Sequence, residues 1–187
     1  MKKLQTQTLV LCAVFCALIS VGAQLTISLP YSSFTLQLLF TILTGLMLPP
    51  MPSLYTLLAY LLLGLVGAPV FAGFSGGLSA VTSPTFGFII GMVVSTPLIS
   101  WLFRLLRPKM PLFAAALAAG FVGIVLNYFC GAVFGYFYMR LIVHQQVDLW
   151  FIVWNWCLVY LPFDAAKLLL ASLVTPPLLR RIPQLSR

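Results

Sequence analysis

Tyr160-Leu161-Pro162-Phe163-Asp164-Ala165-Ala166-Lys167 sets an acid and a lysine three residues apart inside a long apolar run. On a helix that spacing is nearly one turn, so the two side chains share a face. Asp164 is one of only two acidic residues in the chain, the other being Asp148. Outward from this stretch the sequence is almost bare of charge, and from Leu4 to Phe103 there is no Asp, Glu, Lys, Arg or His. Of the 187 residues, 62% are hydrophobic and 6% are charged. No soluble domain of this size keeps such a surface in water, so the composition dictates an integral membrane protein. Long apolar runs suit helices, whereas the strands of a membrane barrel alternate. Charges at membrane depth are expensive and face an interior or a water-filled cavity, which makes Asp164 and Lys167 a candidate site.

The chain divides into six apolar segments in a single domain, residues 1–187. The first is Thr6 to Ile27, ended by Leu29-Pro30-Tyr31-Ser32-Ser33. The second, Phe34 to Leu48, is closed by Pro49-Pro50-Met51-Pro52, and the third is Ser53 to Gly67. Segment four is Thr85 to Leu106, five is Leu112 to about Met139, and six is Trp150 to Leu179. Pro162 must kink or interrupt the last, because proline removes a backbone donor. The net charge of +8 is gathered at segment ends. Lys2, Lys3, Arg104, Arg107, Lys109, Arg180, Arg181 and Arg187 fall on one side of a six-span topology, and Arg140 falls on the other. The positive-inside rule then puts both termini in the cytoplasm, and basic residues at these depths meet lipid headgroups rather than nucleic acid. The Gly67–Ser83 loop and the start of segment six both face outside.

That loop, Gly67-Ala68-Pro69-Val70-Phe71-Ala72-Gly73-Phe74-Ser75-Gly76-Gly77-Leu78, is rich in glycine and uncharged. Irregular backbone this apolar is tolerated at membrane depth only under protein or over a cavity. Glycines such as Gly73 and Gly76 let backbone amides approach a ligand; a tight connector without a ligand is the plainer reading. Asn127 is the strongly polar group on a glycine stripe of segment five, available for an interhelical hydrogen bond or a cavity wall. Ala13-x-x-x-Ala17 lets another backbone approach closely, inside the bundle or from a partner. Cys12, Cys16, Cys130 and Cys157 form no disulfide or metal pattern. With one histidine and no nucleophile–base pair, neither an enzyme nor a cofactor is expected. The absence of a nucleotide motif means that uphill movement would draw on a partner or an ion gradient. On charge alone Asp164 and Lys167 serve equally as a structural ion pair, a proton relay or a ligand site.

Phe34-Thr35-Leu36-Gln37, the stretch from Leu62 to Gly77, and Leu161-Pro162-Phe163-Asp164-Ala165-Ala166-Lys167 resemble, in order and spacing, the BioY family. These are the biotin-binding membrane subunits (S components) of energy-coupling factor (ECF) transporters. The resemblance implies an all-α, six-helix protein of the bacterial cell membrane that holds biotin beneath the loop after segment three. Its implied partners are a transmembrane coupling subunit, docked on a motif that Ala13 and Ala17 resemble, and two cytoplasmic ATPases. By the same resemblance Asp164, Lys167 and Ser75 contact the ligand. Phe71, Phe74, Tyr160 and Trp156 are candidates for the apolar walls. Departures are Gly73-Phe74 where the family often has Gly-Gly, and Phe163 where it often has Gly. The competing readings are an S component for another vitamin and a solitary secondary biotin transporter.

Overall fold

The computed structural model describes residues 6–28 and 33–181. Lys2, Lys3 and Arg187 of the charge pattern, and residues 29–32 of the first break, lie outside these. The protein is mostly helical: α1 (Thr6–Gln24), α2 (Gln37–Met47), α3 (Pro50–Val66), α4 (Phe86–Leu106), α5 (Leu112–Leu141), α6 (Leu149–Val153) and α7 (Leu161–Arg181). Between α1 and α2, β1 (Thr26–Ser28) and β2 (Ser33–Thr35) pair antiparallel, Thr26 opposite Thr35. This hairpin takes the ends of two segments expected to be helical.

Proline chemistry sets the next boundary. α3 begins at Pro50, so Pro49-Pro50-Met51-Pro52 supplies its first turn instead of a gap. Proline is tolerated there because the first amides of a helix have no intrahelical acceptor. α3 is capped after Val66 by Gly67, whose φ of 114° is readily adopted only by glycine.

α1, α4 and α5 are long and apolar enough to cross a membrane. A fourth span is the bent pair Leu149–Leu158 and Leu161–Arg181, broken by 44°. The break falls just before α7 and leaves Pro162 in that helix's first turn, with a π turn at Trp154–Leu158 ahead of it. α2 and α3 are shorter, at 11 and 17 residues.

Ile19, Ile42, Leu46, Leu57, Tyr60, Ile99 and Phe103 form the buried core, while Leu62, Trp101, Phe121 and Phe129 are exposed. An apolar outside of this kind is what a lipid-facing helix presents. Buried hydroxyls are satisfied locally: Thr41, Thr44, Thr96 and Thr175 each donate to the carbonyl four residues back. Arg104, Arg107 and Arg180 gather with Pro108, Leu112 and Leu179 around a shallow hollow at one end of the bundle. The main cavity lies at the other end.

Candidate ligand-binding site

A cavity of about 350 Å³ lies between β2, α2, α4, α5, the π turn and α7, under the loop that follows α3. That size is within the range of sites that take small organic molecules. On one wall the helix break delivers Tyr160, Asp164 and Lys167 together. Asp164 sits in the first turn of α7, where the helix dipole favours an anion. Lys167 Nζ donates to Asp164 Oδ1 at 2.6 Å, and both side chains are buried. From α5, the Tyr128 hydroxyl donates to Asp164 Oδ2 at 2.5 Å. The lysine ammonium also lies 4.1 Å from the centroid of the Phe34 ring, whose negative face attracts it. Each carboxylate oxygen thus already accepts one strong donor and keeps lone-pair capacity for a further N–H.

Two groups bordering this wall have no hydrogen-bond partner among the described residues: Asn127 Oδ1 and Trp156 Nε1. Both residues are 2% exposed. A buried unsatisfied polar atom costs about 1–3 kcal/mol; Asn127 Oδ1 lies against α4 at Gly91, and Asn127 and Trp156 both belong to the cavity lining. Trp156 reaches this position because α5 has Gly135 beneath it; a Cβ there would collide with the indole.

The opposite wall is the loop. Phe71 packs on Gly64, where any side chain would strike the ring, and lies edge-on to Tyr60 at 5.5 Å between centroids. Tyr60 donates to the Val70 carbonyl at 3.0 Å and accepts from Gln37 Nε2 at 3.1 Å. The end of α1 grips the same loop through Gln24. Its Nε2 donates to the carbonyls of Pro69 and Phe71 at 3.1 and 3.2 Å, and its Oε1 accepts from Phe74 N–H at 2.8 Å. Ser75, Ser79, Ser83 and Thr85 bring hydroxyls to this side of the cavity.

Of the residues expected at a site, Asp164, Lys167, Ser75, Gly76, Phe71, Tyr160, Trp156 and Asn127 line the cavity. Gly73 and Phe74 do not. They form the outer edge of the loop at φ 70° and 56°, and the Phe74 ring is 71% exposed. The wall role expected of Phe74 is therefore corrected: left-handed backbone turns its side chain away from the cavity. That conformation costs a non-glycine residue about 1–2 kcal/mol. It also explains why glycine suits this position. Ala13 and Ala17 lie on an exposed face of α1, apart from the cavity.

Sequence reasoning assigned no role to Gln24, Gln37 or Tyr128. The glutamines carried a usable signal, being among the few strongly polar side chains in a hundred residues without charge. Tyr128 carried none, since its partner is 36 residues away.

Comparison with known proteins agrees with this architecture. Residues 1–184 match the model of the BioY family. A biotin transporter BioY of Thermotoga maritima is 34% identical over 166 residues, covering 89% of this chain and 92% of that protein. A probable biotin transporter BioY of Pyrococcus horikoshii is 48% identical over 86 residues, 46% of this chain and 53% of that one. The fold is similar to the crystal structure of the S-component for biotin from an ECF-type ABC transporter, with a TM-score of 0.83 over 96% of this chain and 94% of the other, at 23% identity.

Proposed function

Because the chain belongs to the BioY family, we propose that it captures biotin at the outer face of the cell membrane as the substrate-binding subunit of an ECF-type ABC transporter. The observation that carries this reading is the cavity wall at the helix break. Asp164, Lys167 and Tyr128 form a closed polar group there, with Asn127 and Trp156 beside it. Biotin's ureido ring has two N–H donors and one carbonyl. Asp164 and Asn127 accept from the former, and Lys167 or Trp156 Nε1 donates to the latter. The fused rings lie against Phe71, Tyr160 and the Trp156 indole. The valerate carboxylate points to the loop side, where Ser75, Ser79, Ser83 and Thr85 supply hydroxyls.

In this reading the chain crosses the membrane six times, with α2 and α3 as short spans and α6, the π turn and α7 as one broken span. Arg104, Arg107 and Arg180 gather at the end remote from the cavity, which supports a cytoplasmic position for that end and for both termini. The exposed Ala13 and Ala17 face docks on the transmembrane coupling subunit, and two cytoplasmic ATPases supply the energy. The chemistry asked of this chain is binding and release.

The test is a biotin titration on purified protein, with thiamine and riboflavin as comparison ligands. Saturable binding of biotin and of neither other vitamin is expected. Absence of biotin binding by folded protein overturns the proposal, and a preference for another vitamin reassigns the ligand.

A further inference from the structure

We propose that Gln24 is a positioning residue: it latches the loop over the ligand and sets how long the ligand stays bound. The inference rests on the reading of the cavity as a biotin site. Gln24 ends α1 and is not among the residues that line the cavity, yet one side chain makes three hydrogen bonds to the backbone of residues 69–74. Its amide uses both donor and acceptor, so it recognises the shape of the loop and not its side chains.

Other ties hold the flanks of this loop, among them Gly77 N–H to the Gly64 carbonyl at 2.7 Å and Ser75 Oγ to the Ala72 carbonyl at 2.9 Å. Tyr60 holds the Val70 carbonyl from α3, and Phe71 N–H donates to the Ser75 carbonyl within the loop. None of these involves Gly73 or Phe74. Among the described residues, it is the Gln24 side chain that holds the Phe74 amide. Phe74 is also where the backbone is strained, at φ 56°. A strained residue persists only when its surroundings over-determine it. Without the Gln24 side chain, the Pro69 and Phe71 carbonyls and the Phe74 amide all lose a partner, and the tip of the loop at Gly73 and Phe74 loses its tie to α1. Phe71, Ala72, Ser75 and Gly76, which flank that tip, line the cavity. Gln24 therefore governs the exit of a ligand that it does not touch.

The test compares wild-type protein with Gln24→Leu, which removes every bond, and Gln24→Glu, which keeps an acceptor for Phe74 N–H and loses both donors. Labelled biotin is bound and its release followed after dilution into unlabelled biotin. Dissociation from Gln24→Leu should be at least about tenfold faster than from wild type, at about a factor of ten for each 1.4 kcal/mol lost. Association should change little, and Gln24→Glu should fall between. Hydrogen exchange supplies a ligand-free readout: the Phe74 amide should exchange faster in Gln24→Leu while the amides of α4 and α5 keep their protection. Unchanged Phe74 exchange, or wild-type release from a folded variant, overturns the latch. Wild-type protein that binds no biotin, with faster Phe74 exchange in the variant, removes the ligand assignment and retains the latch. If Gln24→Leu does not fold, the same two readouts on Gln24→Glu decide.

Discussion

Lys167→Met separates the structural and ligand roles of the ion pair. The lysine side chain is 7% exposed and that of Asp164 8%, so removing the ammonium strands a buried carboxylate with only the Tyr128 hydroxyl as donor. Breaking one side of a buried pair costs about 3–5 kcal/mol, whereas replacing both partners is often neutral. At about 2–4 °C per kcal/mol for a chain of this size, the single variant should melt about 10 °C lower. Asp164→Asn should be milder. The asparagine still accepts from Tyr128, and the ammonium keeps the Phe34 ring face at 4.1 Å. The double variant Asp164→Asn/Lys167→Met should recover most of the lost stability and still fail to bind biotin. The assay is thermal unfolding of ligand-free protein in detergent at one fixed scan rate, since membrane proteins often unfold irreversibly, paired with a biotin titration. A double variant that binds biotin as wild type does would show that the pair serves the fold alone. Equal melting of wild type and Lys167→Met would refute the burial argument itself.

Trp156→Phe keeps the apolar wall and deletes the unpartnered indole N–H; biotin affinity should fall about tenfold with little change in ligand-free melting, measured by titration. If affinity is unchanged, Nε1 is not a ligand contact. Ala17→Trp fills the exposed small-residue face of α1. Co-purification with the coupling subunit should be lost while biotin binding by the isolated chain is retained. Retained co-purification removes the docking role.

The helical architecture was legible because hydropathy reports it directly. Segments four and five match α4 and α5 to within a residue or two, and the break expected at Pro162 appears one turn earlier, with the proline itself in the first turn of α7. What escaped was set by contacts distant in sequence. The β1–β2 hairpin is three residues on each strand, too short to show an alternating pattern. The proline run at 49–52 reads equally as an interruption or a helix start, and packing chose the start. The site was legible as far as charge in an apolar background makes it so: Asp164 and Lys167 stand out, and Tyr128 does not. Phe74 shows the limit of residue type as a guide. An aromatic side chain suggests a wall, but a positive φ turns it outward.

The pairing of Asp164 with Lys167 also decides what the cavity refuses. These are its only charged lining residues among those described, and they cancel. A permanently cationic or multiply anionic compound entering this space would shed its hydration and find no net counter-charge in return, a penalty that grows with each charge. A polar but uncharged ring system loses little, because donors and acceptors are arranged for it. Any single charge on an admitted compound is confined to the hydroxyl-lined side beneath the loop. Discrimination among small nutrients of similar size then begins with charge, before shape is tested.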